Sequence, residues 1–149
     1  MNQGGAAARC RGPALALGLS LGPGRARARV LAEIGDDRSR FQDAKGLKAY
    51  AGAAPITRAS GKTRSVTCRR IKNNRLNAAG YTWVFSALTS SPGARAHYDR
   101  RRDVGDRHAA QRNLFGRLLG CLWHCLTTGC QYDETAAFPT TPDKLPRAA

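Results

Sequence analysis

Residues 106–128, DRHAAQRNLFGRLLGCLWHCLTT, decide the fold class. Leu114, Leu118, Leu122 and Leu126 recur at every fourth position with Phe115 and Leu119 alongside, which draws one apolar stripe along a single long helix. Asp106 offers an N-cap oxygen and Gly129 a left-handed stop. Eleven apolar residues fall between Ala109 and Leu126, so this helix must bury one side, and other elements must cover it.

Working back toward the N-terminus, the covering elements are also helical. Ser91-Pro92 pairs an N-cap with a proline at the first helical position and starts a helix ending near Gly105. Leu76 to Leu88 reads as a buried helix, because Tyr81, Val84, Phe85 and Leu88 repeat at helical spacing, with Gly80 weakening it by roughly 1 kcal/mol. Phe41, Leu47 and Tyr50 predict a short helix ended by Gly52 and followed by Pro55. Val30, Leu31 and Ile34 predict another, Ala26 to Ile34, stopped by Gly35. Between these lies Ile56 to Ile71, polar and basic, in which Ser65 to Ile71 is β-prone enough for a strand or hairpin arm. The expected fold is mainly α: a small helical domain over 26–138 with a short basic loop or β-hairpin segment.

Both ends are expected to be flexible. Ala, Gly, Arg and Pro supply 20 of the first 29 residues, and 1–25 reads as a low-complexity leader or as the product of a shifted reading frame. The tail 139–149, with Pro139, Pro142 and Pro146, has no periodicity.

With 149 residues there is room for one ordinary domain and not for a second enzyme domain. The 25 Lys and Arg against 10 Asp and Glu leave a charge of +15, which makes a polyanion the first partner to consider. Five cysteines form no disulfide framework, and no stretch approaches the roughly 20 apolar residues of a membrane span. Pro13 to Leu21, behind Arg9 and Arg11, is short for a signal peptide and is interrupted by Gly18. No membrane partner and a cytoplasmic location are expected.

From residue 44 to residue 98 there is no carboxylate, and ten Lys or Arg stand in that interval. Paired-carboxylate or two-metal catalysis cannot be assembled there. A phosphate cradle can: Arg58, Lys62, Arg64, Arg69, Arg70, Lys72 and Arg75 fall within 18 residues, interrupted by Ser60-Gly61, where glycine permits close backbone approach. A serine among guanidinium groups has the surroundings to attack a phosphodiester, although Ser-Gly is also an ordinary turn.

The run Leu31 to Asp36, Phe41, Leu47 to Gly52, Pro55, Ser60-Gly61, Arg70 to Asn73 and Leu76 resembles the C-terminal domain of the insertion-sequence 110/116/902 transposases. Ser91 to Asp99 and Tyr132 to Glu134 extend the likeness, which runs in unbroken order from about Ala26 to Pro139. The resemblance implies DNA strand exchange guided by a structured bridge RNA, with Ser60 of the Pro-x4-Ser-Gly motif as nucleophile and Pro55 and Gly61 in register. It also implies an acidic ribonuclease-H-like domain that would hold Mg2+, for which this chain has no room, so none is expected here. Leu21 to Arg25 departs from the family's Leu-Pro-Gly-x-Gly order, as a truncated or frame-disturbed copy would. DNA and a guide RNA are the implied partners, in a bacterial cytoplasm at the nucleoid, and a homo-oligomer is compatible with them. The competing reading is a non-catalytic basic nucleic-acid-binding protein.

Three further constellations carry two readings each. Cys121, His124, Cys125 and Cys130 are metal ligand types without zinc-knuckle spacing, and the expectation is packed thiols and no metal. His97 and His108 flank Arg100, Arg101 and Arg102, either a solvated face or a contact to a nucleic-acid backbone. Tyr81, Trp83 and Phe85 could stack on bases, but the one-turn spacing of Tyr81 and Phe85 favours core.

Overall fold

The computed structural model describes residues 24–104 and 107–139. Its elements in order are α1 (Gly24–Ile34), a 3-10 turn (Arg38–Arg40), α2 (Ala44–Tyr50), β1 (Ile56–Ser60), β2 (Thr63–Thr67), α3 (Asn74–Ser90), α4 (Pro92–Val104), α5 (Arg107–Thr128) and α6 (Glu134–Ala137). The mainly α expectation with a basic hairpin is met. The leader before Gly24, the expected stop at Gly105, the cap at Asp106 and the tail beyond Pro139 fall outside the described residues.

Helix α5 is the organising element and packs against α2, α3 and α4, while α1 lies along α3. Its stripe is buried as the leucine spacing requires: Leu114, Phe115, Leu118, Leu119 and Leu122 are all closed to solvent. Each such side chain contributes about 1.5–3 kcal/mol of burial, which is what holds the short helices down. Trp83 of α3 is the largest fully buried side chain. Gly35, Gly52 and Gly129 stop α1, α2 and α5 with positive φ, as the sequence predicts.

Gly80 has a use that propensity alone does not reveal. A Cβ at this position would lie 2.0 Å from Phe115 Cζ, so the missing side chain lets the ring of α5 pack directly on the α3 backbone. The helix-propensity cost of glycine is offset by a closer helix contact.

Several expectations are corrected. The buried face of α3 is Leu76, Ala79, Gly80, Trp83, Val84 and Ala87, so of the expected stripe Val84 lies on it, Tyr81 and Leu88 lie at its margin and Phe85 lies off it. Phe85 is 71% exposed, because Trp83 and Val84 already point at the core and Phe85 falls on the outer side. Strand β2 ends at Thr67, so Ile71, expected in a hairpin arm, sits in the return loop and is 91% exposed. Helix α1 starts at Gly24 rather than Ala26, and α3 at Asn74, where the Asn73 side chain accepts from the Leu76 N–H. The 3-10 turn and α6 have no forerunner in the periodicity, since each is too short to show one.

Candidate nucleic-acid interface

The basic segment is a two-stranded antiparallel hairpin whose base is clamped to the helical body. The chain leaves α2 at Tyr50 and returns at Asn73, and these two residues are joined twice. The Asn73 N–H donates to the Tyr50 carbonyl at 2.8 Å, and Asn73 Nδ2 donates to the Tyr50 hydroxyl at 2.7 Å. Arg40 Nη2 donates to the same hydroxyl at 2.8 Å, with its guanidinium 4.8 Å from the Tyr50 ring centroid and 5.4 Å from that of Phe41. Asn77 Nδ2 adds a bond to the Ala51 carbonyl at 3.0 Å. Gly52 lies beneath the Lys72 stem, where a Cβ would come within 2.3 Å of Lys72 Cδ.

Above the clamp the strands pair Ile56 with Thr67, Thr57 with Val66, Arg58 with Ser65, Ala59 with Arg64 and Ser60 with Thr63. Gly61 and Lys62 form a two-residue turn. Gly61 has φ +55° and no described non-glycine residue has a positive φ, which fits a type II′ turn and explains the Ser-Gly order. No helix packs extensively on the hairpin, and every residue from Thr57 to Thr67 is exposed.

Because paired residues share a face, the register sorts the predicted residues. Ser60, Thr63, Arg58 and Ser65 lie on one face, which continues to the half-buried Ile56 at the base. Arg64 stands on the other face with Thr57, Ala59 and Val66. The expected single cradle is therefore divided: Arg58 shares the side of Ser60 and Lys62 sits in the turn, while Arg64 points away. Arg70 is exposed in the return loop, Arg69 and Lys72 are half-buried there, and Arg75 is exposed at the start of α3. Pro55 is exposed where the hairpin begins.

Arg100, Arg101 and Arg102 are exposed at the end of α4, on a different part of the body. Beside them a cleft of about 330 Å³ is lined by His97, Arg100, Arg101 and Val104. His97 Nε2 is 3.0 Å from Asn113 Oδ1. Burial holds the His97 pKa below its ordinary value despite the Asn113 bond, and the charges of Arg101, Arg100 and Arg117 push the same way. His108, on α5, is exposed.

Among the described residues the one salt bridge is Arg95 to Asp99, at 3.0 Å, so none of the ten predicted basic positions is paired with a carboxylate. Unpaired guanidinium groups on an open hairpin are available to phosphate oxygens. The Ser60 hydroxyl is exposed and has no hydrogen-bond partner among the described residues, and the hairpin carries neither histidine nor carboxylate to act as a base.

No group of three or more His, Cys, Asp or Glu converges among the described residues. Cys125 is buried and Cys121 half-buried, and burial pushes both thiols up, away from the thiolate form that binds metals. Cys130 is exposed, which corrects its reading as a packed thiol. No described helix is long and apolar enough to cross a membrane.

The clamp is what sequence reasoning missed. In the sequence Tyr50 is a helix position and Asn73 a loop position, and the one signal for their pairing is that both flank the basic segment.

Residues 22–99, the span from α1 through the clamp and hairpin to α4, match the family described as "Transposase IS116/IS110/IS902 family". The chain belongs to this family. Over 112 residues, 74% of the chain, it is 64% identical to the mini-circle candidate transposase for IS117 of Streptomyces coelicolor. It is 36% identical over 107 residues to the 42 kDa protein of insertion element IS900 of Mycobacterium paratuberculosis. It is 32% identical over 112 residues to the 43.6 kDa protein of insertion element IS110 of Streptomyces coelicolor. In all three cases the match covers 27% of the relative, so the chain spans about a quarter of the length of these insertion-sequence proteins.

Proposed function

We propose that this chain is the DNA-binding, serine-bearing part of an insertion-sequence recombinase. The observation that carries the reading is the placement of Ser60 beside the Gly61 turn of an unsupported hairpin whose charged residues are all cationic, within the stretch that matches the family. In the reaction, Ser60 Oγ attacks a phosphodiester and forms a phosphoserine link. The bond from phosphorus to one sugar oxygen breaks, the hydroxyl proton passes to solvent, and that sugar oxygen is protonated as it leaves. Arg58, on the same face, and Lys62, in the turn, stabilise the charge that builds on the phosphoryl oxygens. The remaining cations, including Arg100 to Arg102, hold the nucleic acid by its backbone, and a structured guide RNA is a second ligand of the same chemistry. Strand exchange also requires the acidic metal-binding domain that the family likeness implies, which these residues do not supply, so the isolated chain should bind DNA without cutting it.

Two measurements test this. Binding of the chain to DNA should weaken steeply with salt, and a flat salt dependence would remove the electrostatic basis of the reading. Grafting residues 26–139 into an intact relative and assaying plasmid recombination with the relative's guide RNA should give exchange that Ser60→Ala abolishes, together with a covalent protein–DNA adduct that it also removes. Undiminished exchange from the Ser60→Ala graft would falsify the nucleophile and favour the second reading, a non-catalytic binder. That reading is favoured by one observation: the hairpin itself carries neither histidine nor carboxylate to serve Ser60 as a base.

A further inference from the structure

A pocket opens at the foot of the hairpin, where the return loop meets the end of α2. It measures about 440 Å³ and is lined by Ala49, Tyr50, Arg69, Ile71, Lys72 and Asn73. Cavities of about 300–1,000 Å³ are the usual size for small ligands. Most of the polar atoms here already serve the clamp. The Tyr50 hydroxyl accepts from Arg40 and Asn73, and the Asn73 side chain also accepts from the Leu76 N–H. What remains uncommitted is cationic: the Arg69 and Lys72 side chains, both half-buried, have no carboxylate partner among the described residues. Arg69 Nε is closed to solvent and lacks an acceptor.

The rest of the lining is apolar. Ile71 is 91% exposed and stands outside the core cluster, and the Tyr50 ring lies in the same wall. No carboxylate lines the pocket, and none occurs in the sequence from residue 44 to residue 98. Two cations held partly out of water with no counter-charge call for an anionic ligand, and an aliphatic side chain beside an aromatic ring calls for a flat apolar face. A nucleotide joins both in one group. Inside a duplex each base is stacked on both sides and paired at its edge, so only a nucleotide outside the stack can enter a protein pocket.

We infer that this pocket holds one nucleotide free of base pairing, with its phosphate at Arg69 and Lys72 and its base against Ile71 and the Tyr50 ring. Because the Tyr50 hydroxyl and the Asn73 amide already serve the clamp, the pocket selects an accessible base rather than a particular one. Ser60 stands four residues along β1 from Ile56, about 14 Å from the foot of the hairpin. At about 3.4 Å per nucleotide of a B-form strand, that is about four steps. A nucleotide held at the foot therefore leaves Ser60 and Arg58 free to face a phosphodiester further along the same strand. The inference rests on the nucleic-acid-binding reading above and adds the form of the strand and the place that receives it.

Fluorescence anisotropy with the full chain at low salt tests it, using three labelled DNA duplexes of one sequence: fully paired, with one extra unpaired nucleotide, and with an abasic site at that unpaired position. The unpaired nucleotide should tighten binding by about fivefold or more over the paired duplex, and the abasic site should lose most of that gain, since only the base is missing. Ile71→Ser, at an exposed position, should abolish the difference between the base-bearing and abasic duplexes and leave affinity for the paired duplex unchanged. Arg69→Gln should weaken the base-bearing and abasic duplexes by the same factor. 2-Aminopurine at the unpaired position should change its emission on binding, and Ile71→Ser should remove the change. The same three forms made as RNA are the second arm, and a gain with DNA or with RNA identifies which strand the pocket serves. An abasic duplex bound as tightly as its base-bearing counterpart in both DNA and RNA, or a preference that survives Ile71→Ser, would overturn the pocket assignment while the binding reading stands. Failure to bind any nucleic acid at low salt would remove both. Circular dichroism of each variant confirms that the helical body is unchanged.

Discussion

Ser91 and Glu134 are 43 positions apart, and the Ser91 hydroxyl donates to Glu134 Oε1 across 2.6 Å. The same carboxylate oxygen accepts the Gly93 N–H at 3.0 Å, while Ser91 Oγ accepts from the Ala94 N–H at 3.1 Å. The start of α4 is thus capped twice, once by its own serine and once by a carboxylate delivered from α6. A negative charge at a helix N-terminus is favourable in itself, and here it also ties the last described helix to the body.

Removing that carboxylate strands a serine that is only 2% exposed. Glu134→Ala should therefore lower unfolding stability by about 1–3 kcal/mol, and Glu134→Gln by less, because the amide oxygen can still accept both bonds and only the charge is lost. Urea unfolding followed by circular dichroism measures both; unchanged midpoints would show that the cap contributes nothing.

Gly80→Ala is expected to destabilise even though alanine is the better helix former by about 1 kcal/mol. The added Cβ would collide with the Phe115 ring, and overpacking of this kind costs about 1–3 kcal/mol. The double variant Gly80→Ala with Phe115→Leu should recover part of the loss, and thermal melts of the three chains decide it.

These two sites mark where sequence reasoning stops. The α5 stripe and the Ser91-Pro92 start are legible because each is written in consecutive residues, and the basic segment because charge needs no fold to be seen. The partner of Ser91, the ring above Gly80 and the Tyr50–Asn73 clamp depend on which helices meet, which periodicity does not encode. The α3 face is legible only in part, because Phe85 fits the helical period as well as Trp83 does, and only the smaller Ala79 and Gly80 mark the packed side. Of the candidate site, the residues are legible and their division between two faces is not, since a run of charge does not say where the strands run or how they pair.

His97 gives the fold a defined response to acid. Its folded pKa lies below the ordinary 6.5, so as pH falls below that value the unfolded chain takes up a proton before the folded one does. The stability contributed by neutral His97 is full above about pH 6.5 and is lost as pH falls through the lower folded value. Urea midpoints at about pH 7.5 and about pH 5.5 should differ, and His97→Gln should reduce the difference. An equal difference in that variant would assign the acid sensitivity to another group.

Substitution in the turn should separate folding from binding. Gly61→Val places a β-branched residue at φ +55°, costing about 1–2 kcal/mol locally. Since no helix packs extensively on the hairpin, the global melting temperature should stay near that of the parent chain. Strain of about 1 kcal/mol transmitted to the bound form would weaken DNA binding by about fivefold. A large fall in melting temperature would mean that the hairpin is part of the cooperative core.

The seam at Tyr50 and Asn73 has one more consequence. Because the chain departs and re-enters at hydrogen-bonded neighbours, the span between them behaves as a cassette: its ends are fixed by the body, while its contents answer to little except strand pairing. Such an insertion point tolerates exchange. One ribbon can be traded for another of different length or chemistry without rebuilding the folded domain beneath it.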